Sequence, residues 1–377
     1  MGRRFRRHAA VAGTIVVLVA ACSGSGEAGP GPSTGPDREV SAPMPVSALE
    51  EAPPVPTVIV IDASGSMATE DAPGQRLQAA KDAVGEVVAG LPAGHEVGIV
   101  VYGTSTGGTP QEQVAGCQDV TVAVPLGPLR PRAVADQLGP LGPSGYTPIG
   151  LSLQVASAQL PGDGPRSIVV VSDGSDTCAS AGLGPDPCDI AGALHRADAD
   201  LTVSTIGFRS AADPEAAEQL GCMAREGGGQ HLDAASGTLL STRLSATLNA
   251  GWSGQALTPT SYRGLSLGMT IAEVTAADPD VSATIRSRGV VDVEIPTGTL
   301  TFTDGVLSAV TVDSPDVRTI DGLAVGDTRT DAERLYGSAT TSGDGVTVAA
   351  DGTGTTCFAL ELDGADTITA ITLGACG

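Results

Sequence analysis

Asp62, Ser64 and Ser66 alternate in the segment Asp62-Ala63-Ser64-Gly65-Ser66, directly after the apolar run Thr57-Val58-Ile59-Val60-Ile61. A β-branched run that stops at an acid and two serines puts three oxygen-bearing side chains on one loop at a strand end. Such a loop can hold a hard divalent cation, which takes oxygen ligands. Two more oxygens fall in comparable places. Asp173 follows the buried-strand pattern Ser167–Ser172, and Thr147 lies in Gly145-Tyr146-Thr147-Pro148, before the helical stretch that feeds that strand. Ligands of an open parallel sheet bind beyond the carboxyl ends of its strands, so these loops are expected to meet at one point. Glu70 and Asp71 read as solvated acids, and Asp176 as a surface acid.

Other chemistries find less support. Neither Ser64 nor Ser66 has a histidine base near it in sequence, and no Gly-x-Ser-x-Gly elbow occurs. Gly65 is not part of a Gly-x-x-x-x-Gly-Lys phosphate loop. Acids are plentiful, yet nothing selects a hydrolytic pair. No Cys-x-x-Cys pair is present and the histidines number four, which argues against zinc. The expectation is a binding protein and not an enzyme.

The elements that would position these oxygens alternate from 57 to 250. Thr57–Ile61, Val97–Tyr102, Val120–Val124, Ser167–Ser172 and Leu201–Phe208 read as strands, with Gln230–Leu232 as a short edge strand. Between them, apolar residues recur at helical spacing from Leu77 to Leu91. Ala133–Leu138, Pro148–Leu160, Asp189–Ala197, Pro214–Glu226 (capped by Asp213) and Leu239–Leu248 also read as helices. The alternation predicts an α/β fold: a doubly wound, mostly parallel sheet with helices on both faces, Rossmann-like in layout. After Trp252 strands dominate. Gly264-Leu265-Ser266-Leu267-Gly268-Met269-Thr270 is echoed by Gly322-Leu323-Ala324-Val325-Gly326-Asp327-Thr328. Each copy leads into a short helix (Ile271–Ala277; Asp331–Tyr336) and then a hairpin. Thr299–Thr303 pairs with Leu307–Val312, and Cys357–Leu362 with Ile368–Leu373, across Asp304-Gly305 and Asp363-Gly364 turns. Residues 262–377 thus read as a smaller α+β domain of two repeats.

The chain has 377 residues, a formal charge of -23 and a pI near 4.3. Phosphates would be repelled and no basic stripe exists, which excludes nucleic acid as a partner. Arg3, Arg4, Arg6 and Arg7 precede an apolar run, Ala9 to Ala21, too short for an ordinary membrane-spanning helix. Residues 1–21 read as a signal peptide, and its end, Val19-Ala20-Ala21-Cys22, resembles a bacterial lipobox. The resemblance implies a lipid anchor on Cys22 and an exported, outward-facing protein on the bacterial cell membrane. Residues 22–56, rich in Pro, Gly and Ser, read as a linker. The six other cysteines, an even number in an exported chain, favour disulfides. Cys357 and Cys376 flank the terminal hairpin and are expected to pair. Cys117, Cys178, Cys188 and Cys222 allow three connectivities. Cys178–Cys188 would close a local loop but leave Cys117 with Cys222, which the expected topology places toward opposite sheet edges. Cys117–Cys178 with Cys188–Cys222 avoids that crossing and is preferred.

Asp62, Ser64 and Ser66, then Thr147, then Asp173 resemble the von Willebrand factor type A domain and its metal-ion-dependent adhesion site (MIDAS), over about 57–250. The resemblance implies that Ser64, Ser66 and Thr147 bind a metal through hydroxyls, while Asp62 and Asp173 act mainly through bound waters. Magnesium, or manganese, suits such a set. Neutral hydroxyls would leave the cation under-neutralised, so that a protein or peptide partner could complete its shell with a carboxylate. The tail, with Gly268 to Thr270 and Gly326 to Thr328, is similar to modules of BamE-type outer-membrane-assembly lipoproteins and β-lactamase-inhibitor-like proteins. That likeness implies protein binding or spacing without catalysis. Glu273-Val274 follows the pattern; Ala332-Glu333 in the second copy departs from it. The expected function is that of a cell-envelope lipoprotein with an adhesive, cation-dependent site. The alternative is a metal-stabilised module that presents its C-terminal repeats to a partner.

Overall fold

Every residue of β1 (Thr57–Asp62) is buried, as its unbroken apolar run requires of a strand covered on both faces. The structure is a computed structural model. It describes residues 54–376 apart from 73, 93, 250–254, 280, 282–288, 338–339, 343–344 and 352–353. The expected signal peptide, Cys22 and nearly all of the linker lie outside the described residues.

Strand β1 sits inside a six-stranded sheet of order β3-β2-β1-β4-β5-β6. Its other members are β2 (Val97–Tyr102), β3 (Val120–Val124), β4 (Arg166–Ser172), β5 (Leu201–Phe208) and β6 (Gly228–Ala234). All neighbours run parallel except β2 and β3. Helices α1 (Arg76–Gly90), α2 (Pro131–Leu138), α3 (Ile149–Ser157), α4 (Pro187–Ala197), α5 (Pro214–Glu226) and α6 (Gly237–Thr247) complete the layers. Alternate residues of β1 serve opposite cores. Ile59 and Ile61 pack with Leu77, Val84 and Leu244, whereas Val58 and Val60 pack with Leu153, Leu220 and Met223. This is the doubly wound fold anticipated from the strand–helix alternation. In register, Asp62 lies beside Tyr102 and Ile61 beside Val171, so the polar ends of β2, β1 and β4 line up.

The tail forms a second, wholly antiparallel sheet of seven strands, β12-β13-β14-β15-β11-β10-β9. The first copy supplies β9 (Val290–Ile295), β10 (Gly298–Thr303) and β11 (Val306–Val312). The second supplies β12 (Thr340–Ser342), β13 (Gly345–Ala349), β14 (Thr356–Leu362) and β15 (Ile368–Ala375). A small pair, β7 (Ser261–Tyr262) with β8 (Leu265–Ser266), precedes them. The repeat extends to individual hydrogen bonds. Gly268 N–H donates to Leu307 O and Gly326 N–H to Ile368 O, both at 2.8 Å. Thr270 caps helix α7 (Ile271–Ala277) in a reciprocal box with Glu273, and Thr328 caps α8 (Arg329–Tyr336) in the same way with Asp331. The departure at Ala332-Glu333 is therefore offset by an acid at the equivalent third position.

The two copies merge into one sheet where β11 meets β15. Thr311 pairs with Thr372, flanked by Val310 with Leu373 and Val312 with Ile371. Counted from the equivalent residues Leu307 and Ile368, Thr311 and Thr372 occupy the same place in their copies, so a local twofold axis passes between them. One turn differs from expectation. Asp304 and Gly305 both have positive φ (51° and 88°), as a tight two-residue hairpin needs. In the second copy the positive φ falls on Asp366, and the Asp363 carboxylate accepts the N–H groups of Ala365 and Thr367. An aspartate-bridged loop thus replaces the expected Asp363-Gly364 turn.

The tail does not hang free of helix α6. Arg243, buried on that helix, forks onto Asp321 (2.8 and 2.9 Å) and also donates to Ala350 O (2.9 Å). Leu257 N–H donates to Arg318 O, and Ile320 N–H to Leu257 O. Leu232 and Ala246 share a small apolar cluster with Ala256 and Ile320. Packing of the tail therefore begins ahead of 262.

Candidate metal centre

Strand β1 ends on Asp62, which is fully buried. Its Oδ1 accepts the N–H of Ser64 (2.8 Å) and its Oδ2 accepts the hydroxyl of Ser172 (2.6 Å). Tyr102 donates its phenol to Ser172 (3.2 Å), so the ends of three adjacent strands are fastened together. The chain then turns through one tight helical turn, Gly65–Ala68. Ser64 holds its N-cap position, yet its hydroxyl makes no capping bond and lies 3.1 Å from Ser66 Oγ. Ser66 in turn donates to Asp173 Oδ1 at 2.6 Å, across 107 residues of sequence.

The loop carrying Thr147 is tied to the same place by backbone bonds. Ser144 N–H donates to Ala63 O (2.8 Å) and Gly65 N–H to Gly145 O (3.3 Å). Thr147 is buried, and its N–H donates to Thr177 Oγ1 (3.0 Å). The loop after β2 passes close by. Gly103 has φ +71°, and a Cβ there would stand 2.7 Å from both Ser144 O and Ser64 Cα. Only glycine lets these three loops converge. The structure thus links Asp62, Ser64, Ser66 and Asp173 through one hydrogen-bonded chain and fastens the Thr147 loop to it.

Three residues carry more than the sequence suggests. Arg76, in the first turn of α1, donates from Nη1 to Asp173 Oδ2 (2.8 Å) and forks onto Asp71 with two bonds of 2.8 Å. Asp71 is exposed, as expected of a solvated acid, and is also paired with Arg76 and, at 3.1 Å, with Arg209. Asp176, expected at the surface, is 2 % exposed. Its Oδ1 accepts the N–H groups of Cys178 and Ala179, and its Oδ2 accepts that of Gly150 at the start of α3. Burial raises its pKa despite these bonds. An aspartate followed by a short helical turn was the local sign of a cap; nothing local pointed to Gly150, or to Arg76 meeting Asp173.

The electrostatics are lopsided. Asp173 has Arg76 as counter-charge. Asp62 accepts bonds only from neutral groups, and burial, then the charge of Asp173, push its carboxyl up to about 6. A buried carboxylate without a cation is costly. The Ser64 and Ser66 hydroxyls, linked to two buried carboxylates of which one lacks a counter-charge, with the Thr147 loop fastened alongside, fit a small hard cation: Ser64, Ser66 and Thr147 could ligate it and Asp62 and Asp173 back it. Among the described residues no group of three or more His, Cys, Asp and Glu converges, so a cation here would depend on hydroxyls. The described histidines bond elsewhere: His95 to Pro92 O, His195 to Leu201 O and His231 to Thr205. None serves Ser64 or Ser66 as a base.

One of three disulfides braces the centre. Cys117 joins Cys178, linking the loop after β2 to the residue following Thr177. Cys188 joins Cys222 between α4 and α5, and Cys357 joins Cys376 across the last hairpin. These are the pairings preferred on the sequence.

Known proteins resemble this chain in part. A protein of Bacillus subtilis (strain 168), the uncharacterized YwmC, is 27% identical over 184 residues, 48% of this chain and 77% of that one. The solved conserved hypothetical protein BatB of Bacteroides thetaiotaomicron covers 52% of this chain and 98% of its own, at 18% identity and a TM-score of 0.42. The pilus adhesin SpaC of Lactobacillus rhamnosus GG covers 86% of this chain and 44% of its own, at 13% identity and a TM-score of 0.41. Residues 57–175, from β1 past Asp173, match the family model of the von Willebrand factor type A domain. That match, on a sheet of the order described, identifies a von Willebrand factor type A domain in this chain.

Proposed function

We propose that this protein binds a protein or peptide partner at the bacterial cell envelope through a divalent cation. Mg2+, or Mn2+, is held by the hydroxyls of Ser64, Ser66 and Thr147, with Asp62 and Asp173 behind them in the manner of a MIDAS. A carboxylate from the partner completes the shell. The observation that carries this reading is the 2.6 Å bond from Ser66 to Asp173, which brings hydroxyl and carboxylate from two distant loops to one point. Three disulfides support an oxidising compartment. Among the described residues no helix is long and apolar enough to cross a membrane; attachment through a lipid on Cys22 rests on the lipobox-like Val19-Ala20-Ala21-Cys22 alone. The reading assigns no catalytic step.

The experiment is magnesium titration by calorimetry on wild type, Thr147→Ala and Asp62→Ala, alongside capture of partners from envelope extract with and without chelator. Wild type should take up one ion, both variants should bind it at least tenfold more weakly, and chelator should release the partner. Partner capture indifferent to chelator would refute the adhesive role. A second reading, a metal-stabilised module that presents its tail, draws on the Arg243–Asp321 junction. On that reading Asp62→Ala lowers the melting temperature and leaves capture intact.

A further inference from the structure

The cluster around Asp173 contains its own positive charge. Asp173, with a fully buried side chain, gives Oδ1 to Ser66 and Oδ2 to Arg76. Arg76 is in turn shared with Asp71, and Asp71 with Arg209. Counting Asp62, three carboxylates against two guanidiniums leave a single negative charge. A divalent ion placed among Ser64, Ser66 and Thr147 would convert that into a single positive charge, in surroundings where Asp62 and Ser64 are fully shielded from water. One incoming carboxylate would cancel it.

We propose that Arg76 makes cation and carboxylate uptake interdependent: it holds Asp173 already neutralised, so the ion binds weakly alone and tightly with an acidic ligand. This rests on the cation reading of the site. Arg76 acts through Asp173 and is a positioning and charge-setting residue. By linkage the effect is reciprocal, and whatever the carboxylate adds to cation affinity the cation adds to carboxylate affinity. The device keeps the site quiet toward the free ion and specific for acidic partners. Replacing Arg76 by a neutral residue frees one carboxylate charge for the ion and removes the need for the second ligand.

The test is calorimetric titration with MgCl2 in matched buffers of sodium chloride and sodium acetate, with the fold of each variant checked by circular dichroism. In wild type, acetate should tighten Mg2+ binding by about fivefold or more. In Arg76→Gln, Mg2+ alone should bind about tenfold more tightly than in wild type, and the acetate effect should vanish. Asp71→Asn removes a carboxylate from the exposed side of Arg76 and should act in the opposite sense, with weaker Mg2+ binding and a larger acetate effect. Should Arg76→Gln fail to fold, this second variant decides alone. Variants with the affinity and acetate response of wild type would overturn the role of Arg76 while leaving the cation site standing. A wild type that takes up no Mg2+ in either buffer would overturn the cation reading itself, and this inference with it.

Discussion

Three consecutive residues, Asp176, Thr177 and Cys178, each hold a different piece of the rim. Asp176 caps its own helical turn and takes the N–H of Gly150; Thr177 takes the N–H of Thr147; Cys178 is bonded to Cys117. Asp176→Ala would uncap one turn and strand a buried N–H at the start of α3, a loss of about 2–3 kcal/mol. Asp176→Asn, which can still accept, should lose less. Urea denaturation of the two variants checks this, and equal midpoints for wild type and Asp176→Ala would sink the clamp. Residues of this kind divide by how local their cue is. That Asp62, Ser64, Ser66 and Asp173 would meet was legible because each closes or follows a strong apolar run and the ends of parallel strands gather at one edge, whereas Thr147 was flagged only by its place in a loop before a helix. Arg76 and Asp176 were not legible, since their decisive partners stand 97 and 26 residues away and only the folded sheet brings them near.

Among the elements, the tail helices show how a short segment is kept helical. Helix α7 has seven residues, too few for independent stability. Its capping box supplies a fixed start. The N–H and then the hydroxyl of Thr270 hold Glu273 below the usual glutamate range. A carboxyl lowered in the folded state stabilises fully above its unfolded pKa and loses that contribution as pH falls through the lowered value. Acidification from pH 7 toward 3 should therefore weaken the tail, and Glu273→Gln should flatten that dependence. Denaturant midpoints at several pH values measure it; parallel curves for both proteins would contradict it. The start of α7 was read correctly at Ile271, whereas α8 begins at Arg329, two residues ahead of the expected Asp331, because Thr328 caps it as Thr270 caps α7. The union of the hairpins into one sheet was not readable, because β11 and β15 lie in different copies and turn residues speak only for their own hairpin.

At the scale of the whole molecule, the type A domain and the tail share buried polar as well as apolar contacts. Asp321→Ala would leave Arg243 charged and buried, a loss of about 3–5 kcal/mol. The double change Arg243→Met with Asp321→Leu should cost much less. Thermal unfolding compares them, and a marginal effect of Asp321→Ala would show the junction to be dispensable. The same junction bears on the alternative in which the repeats are merely displayed, since a tail cut away from α6 would expose Asp321 and Ile320. Finally, the pairing of Thr311 with Thr372 joins like to like, with their hydroxyls 2.9 Å apart. A protein carrying one copy alone would end in an open strand edge, open to a second molecule laid antiparallel against it across the same twofold axis. Duplication inside one polypeptide converts that would-be homodimer contact into an internal seam, which forms at any dilution and leaves no sticky border at the middle of the sheet.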